Sequence, residues 1–177
     1  MNYQVYFQKA SLKSYVSLQV VVGVCLFCLM LFEGALASLN LFLYAVPLLS
    51  FTVMYVLILF YPVALPLVSI FIITILQDIF FTSLQNSQTF AILISLIIMK
   101  RVIVFPEQRE FLEHWQGFGI AMAILFGIQS AFYMLWELSF VNWQGVLFQF
   151  GVSLLIYPFV YVVIHRSAQA FVDASER

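Results

Sequence analysis

Charge is what this chain has least of. Only 8% of its 177 residues are Asp, Glu, Lys or Arg, against roughly 25% in an ordinary soluble domain. A water-exposed surface cannot be built from so few charges, which excludes a soluble globular domain. Cysteine is nearly absent too. The only two, Cys25 and Cys28, have the C-x-x-C spacing of thiol redox pairs and metal half-sites. They sit among Val, Leu and Phe, where a thiolate is disfavoured, and no second Cys or His pair completes a set of four zinc ligands. They read as small apolar helix residues. Catalytic signatures are missing as well: there is no H-E-x-x-H, no G-x-S-x-G, no glycine-rich phosphate loop and no paired acidic motif to hold magnesium. The expectation is a non-enzyme without cofactor or metal.

What the chain has instead is apolar length, with 64% hydrophobic residues. The runs free of acidic and basic residues are Ser14 to Phe32, Gly34 to Gln77, Ile79 to Met99, His114 to Trp136 and Leu138 to His165. A helix needs about 20 mainly apolar residues to cross the hydrocarbon. Four of the runs hold one span each, and the long second run must hold two. The expected fold is therefore all-α, a single polytopic transmembrane domain over residues 1–177, with about six spans near 15–32, 41–60, 63–82, 89–105, 115–137 and 144–164. The turn between the second and third rests on Tyr61-Pro62, where proline removes a donor and disfavours helix in the residue before it. A kinked or re-entrant passage is the alternative there.

Positive residues near span ends stay on the cytoplasmic side. All seven lysines and arginines fall on one side of this arrangement. Lys9 and Lys13 precede the first span, Lys100, Arg101 and Arg109 flank the loop between the fourth and fifth, and Arg166 and Arg177 follow the sixth. The other side carries Glu33 and Glu137. Both termini are thus expected in the cytoplasm, and an odd span count would separate Lys9 from Arg166. Lys9 and Lys13 ahead of an apolar stretch ending at Ala35-Leu36-Ala37 also resemble a secretory signal, but the stretch is too long and Glu33 too close to the site, so an uncleaved first span is expected.

The segment from Lys100 to Glu113 is the longest polar one. Pro106, Glu107, Gln108, Arg109, Glu110 and Glu113 with Phe111 and Leu112 read either as a short interfacial amphipathic helix or as a solvated connector, and Trp115 anchors the next span at headgroup depth. His114 and His165 lie at span ends and read as interfacial. Twenty phenylalanines and nine tyrosines suit lipid-facing and interfacial positions.

Asp78 is the only charge placed inside an expected span. An acid in hydrocarbon is a functional hypothesis by default. The competing reading is a hydrogen-bonded patch of Asp78 with Gln77, Thr74 and Thr82 that fastens the third helix to a neighbour. The stretch from Gln77-Asp78 through Ser83-Leu84-Gln85-Asn86-Ser87-Gln88 continues this polarity around a turn into the fourth span.

With Thr74-Ile75-Leu76-Gln77-Asp78, Tyr61-Pro62, Leu65-Pro66, Gln108-Arg109-Glu110-Phe111-Leu112 and Trp115 on the page, nearly the whole chain resembles the MreD family, small inner-membrane proteins of the bacterial rod-shape machinery. The family pattern has glycines at the positions of Thr74, Thr82 and Asn86, and all three are replaced here. The resemblance implies a non-catalytic scaffold in the bacterial inner membrane. It implies partnership with MreC, a single-span protein with a coiled coil, and through it with the MreB filament and the peptidoglycan synthases. It also implies a fold similar to the substrate-binding subunits of energy-coupling-factor vitamin transporters, so the alternative function is substrate capture for such an importer. The Ala-x-x-x-Ala docking pattern of those subunits is missing between Tyr15 and Phe32. The expected partner-binding or helix-packing residues are Gln77, Asp78, Thr82, Asn86, Arg109 and Trp115.

Overall fold

The computed structural model describes residues 12–38, 46–61, 65–80, 88–102, 110–137 and 143–175. These form six helices: α1 (Leu12–Ser38), α2 (Leu49–Phe60), α3 (Leu67–Phe80), α4 (Gln88–Val102), α5 (Phe111–Glu137) and α6 (Trp143–Ser175). The chain is all-helical over these residues. Three helices are long and apolar enough to cross a membrane, within Leu18–Leu36, Phe111–Leu135 and Trp143–Ser167. Six crossings were expected; α2, with 12 residues, rises only about 18 Å at 1.5 Å per residue, well short of the roughly 30 Å hydrocarbon. α3 and α4 are nearly as short.

The helices close into a circuit. α1 packs on α2 and α3, α3 on α4, α4 on α5, α5 on α6, and α6 on α2. α2 also reaches α4 across the middle. It is the central element, with Phe51, Met54 and Tyr55 fully buried. The outward faces stay apolar: Leu135 is 78% exposed, Leu155 74% and Phe159 72%. A surface of this kind is tolerated in lipid and is an aggregation liability in water.

Two boundaries differ from the sequence expectation in ways that matter. Helix was expected from residue 41, yet Val46, Pro47 and Leu48 are not helical and α2 begins at Leu49. Pro47 has no N–H and disfavours helix in the residue before it, so the apolar run is broken inside the bundle. α1 was expected to end near residue 32 but continues to Ser38, which carries Glu33 into the helix instead of leaving it at a loop. At the other end of the bundle α2 stops at Phe60, and Tyr61 N–H bonds Leu57 O at 2.8 Å. Phe111 to Glu113 are the first turn of the long α5, with Glu113 and His114 N–H bonding Glu110 O. The interfacial helix considered for this segment otherwise falls on residues 103–109, outside those described.

Candidate functional site

Asp78 lies near the end of α3 and is half-buried. Its Oδ2 accepts the backbone N–H of Thr89 at 3.3 Å and also the Thr89 hydroxyl. Thr89 is the second residue of α4, where helical N–H groups have no partner within their own helix. One side chain thus closes the α3–α4 junction by satisfying the start of the next helix. Asp78 Oδ1 is buried without a hydrogen-bond partner. Thr74, expected in the same patch, is fully buried one turn earlier. Its hydroxyl turns back onto Ile70 O and Phe71 O of its own helix, at 2.9 and 3.1 Å. Gln77 lies on α3 beside Asp78; Thr82, Asn86 and Arg109 lie outside the described residues.

A second junction of the same design was not anticipated. Glu33 on α1 is only 6% exposed. Its Oε1 accepts Ser50 N–H at 2.5 Å and its Oε2 accepts the Ser50 hydroxyl at 2.6 Å. Ser50 is the second residue of α2, as Thr89 is of α4. The residue at the N-cap of α2 is Leu48, which offers no capping side chain, and leucine is among the poorest residues for that position. Glu33 supplies the missing cap from another helix, and a carboxyl group there also meets the positive end of the helix dipole.

The break ahead of α2 is served from α6 as well. Ser153 Oγ accepts Leu48 N–H at 3.0 Å, and the Gln149 side-chain amide donates to Val46 O at 2.9 Å. Non-helical backbone removed from water persists only where protein groups satisfy it, and Gln149 and Ser153 of α6 do so here. Ser95 of α4 adds a further cross-helix bond, its hydroxyl donating to Ala121 O of α5 at 2.6 Å. Trp115 is half-buried on α5, and its indole N–H donates to Leu154 O of α6 at 2.9 Å.

At the end of the bundle holding Lys100, Arg101 and Arg166, the rings form one connected stack. Phe118 stacks on Tyr157 at 4.5 Å. Tyr161 follows one turn later and stacks on His165 at 5.7 Å with 9° between planes. His165 Nδ1 shares a hydrogen bond with Tyr61 OH at 3.1 Å. His114, expected at the interface, is buried with its ring 4.9 Å from Phe60. Cys25 and Cys28 are free and exposed on α1. Among the described residues no group of His, Cys, Asp and Glu is placed to hold a metal ion.

The arrangement defines a protein that is all-helical over the described residues, with three helices long and apolar enough to cross a membrane, in which Glu33, Asp78, Ser95, Trp115 and Ser153 join one element to another. No family model, curated protein or solved structure matches the chain.

Proposed function

We propose that the chain is a non-catalytic scaffold of the bacterial inner membrane, of the MreD kind. It crosses the membrane six times with both termini in the cytoplasm. It associates with an MreC-like single-span protein and so helps couple an MreB filament to lateral peptidoglycan synthesis. The observation that carries this reading is where the interior polar groups go. Glu33, Asp78, Ser50, Thr89, Ser95 and Ser153 all bond another part of the chain, which suits an element that holds shape better than one that turns over a substrate. The resemblance along the Thr74–Asp78 stretch supports it from the sequence side.

The importer reading has less support. A capture subunit needs an open pocket lined by polar groups, whereas fully buried Phe51, Met54, Tyr55, Phe118 and Tyr157 fill the space around α2. Copurification in mild detergent tests the proposal: the wild-type chain is expected to bring down an MreC-like coiled-coil protein, and Asp78→Ala to bring down several-fold less. Recovery of an ATPase complex instead, or strong thermal stabilisation by a vitamin, would overturn the scaffold reading.

A further inference from the structure

Pro158 lies inside α6. Proline has no N–H, so the carbonyl four residues earlier, Leu154 O, loses its helical donor. The indole N–H of Trp115 takes that donor's place at 2.9 Å. The two helices are close here: a Cβ built on Gly119, one turn along α5 from Trp115, lies 3.2 Å from Leu154 Cδ1. α6 runs unbroken through Pro158, and the parts before and after it have different attachments. Before it, Gln149 and Ser153 hold the entry of α2 at Val46 and Leu48. After it, Tyr161 packs on Phe60 at 5.5 Å and His165 bonds Tyr61, so this segment holds the exit of α2.

We propose that Pro158 is a hinge in α6 and that Trp115 is the latch that keeps it closed. With the latch closed, α6 acts as one rod and fixes both ends of α2 in one register. With it open, Leu154 O has no donor, the two segments move independently, and Gln149 and Ser153 release the backbone at the α2 entry. Tyr157, next to the hinge, gives the closed form a competitor. It is fully buried and its hydroxyl has no hydrogen-bond partner, so any arrangement that supplies an acceptor gains relative to the closed one. Prolines inside helices are ordinary sites of bending; here the freed carbonyl is secured by a neighbouring helix, which makes any bending conditional on that bond.

The test uses the full chain in lipid nanodiscs and amide hydrogen exchange at Leu48 and Ser50. Trp115→Phe keeps an aromatic ring, though a smaller one, and removes the donor. Exchange at both amides is expected to rise about tenfold, the scale on which one buried hydrogen bond shifts a local opening. Adding Pro158→Ala gives Leu154 O a helical N–H again, so the double variant is expected to return to within about twofold of wild type. Tyr157→Phe, which removes the unpartnered hydroxyl, is expected to slow exchange at the same amides. If Trp115→Phe leaves exchange unchanged, or if the double variant exchanges as fast as the single one, there is no latch. If Trp115→Phe does not fold, a folded double variant supports the proposal, and failure of both overturns it.

Discussion

The two carboxyl junctions use the same chemistry at different depths. Glu33 and Asp78 each end a hairpin by accepting both the N–H and the hydroxyl of the second residue of the following helix. Glu33 is buried and Asp78 half-buried. The partners are alike, since Thr89 and Ser50 are both buried, so the two junctions differ in the burial of the carboxyl residue itself. The difference teaches that two carboxyl groups making the same bonds to equally buried partners differ in structural weight through their own burial, not through the number of bonds they make. The Glu33 junction anchors the central helix. The Asp78 junction joins α3 to α4.

Removing each group separates the two roles. Glu33→Ala strands a buried backbone N–H and a buried hydroxyl, and is expected to cost about 2–4 kcal/mol in reversible unfolding from lipid or mixed micelles. Ser153→Ala, which takes the acceptor from Leu48 N–H at the same entry, is expected to cost about 1–2 kcal/mol in the same assay. Asp78→Ala comes next at about 1 kcal/mol: it leaves the buried Thr89 without its partner, but a half-buried acceptor contributes less than a fully buried one. Its stability loss is expected to be smaller than that of Glu33→Ala while its loss of partner copurification is larger, and the opposite order would break the comparison. The smallest effect belongs to Thr89→Ser, which keeps both donors and is expected to stay within about 0.5 kcal/mol of wild type, while Thr89→Val is expected to approach Asp78→Ala.

Helix content is plain in the sequence, since it follows from composition and from the spacing of charges along the chain. The start of α2 is not. The run from Leu41 to Phe60 is uncharged throughout and mostly apolar, and hydropathy does not show where backbone inside such a run stops being helical when Gln149 and Ser153 satisfy it. Pro47 is the one local signal, and it points to the break once weighed as Pro62 was. Asp78 is legible as a polar junction, but its partner is not. The adjacent Thr74 is the nearer candidate, yet the helix turns its hydroxyl back onto Ile70 O, and the bond goes to Thr89 on the far side of the turn. Glu33 reads as a loop residue because a charge near the end of an apolar run ordinarily marks the end of the helix. Five more residues of helix put it inside instead.

Paired double-mutant cycles in lipid test this account most directly: Glu33→Ala with Ser50→Ala, and Asp78→Ala with Thr89→Ala. Interhelical hydrogen bonds in membranes couple by about 0.6 kcal/mol on average and up to about 1.7. The account predicts a coupling near that upper value, about 1.5 kcal/mol, for Glu33 and Ser50, and about 0.5 kcal/mol for Asp78 and Thr89. Equal couplings, or a larger one at Asp78, would contradict it.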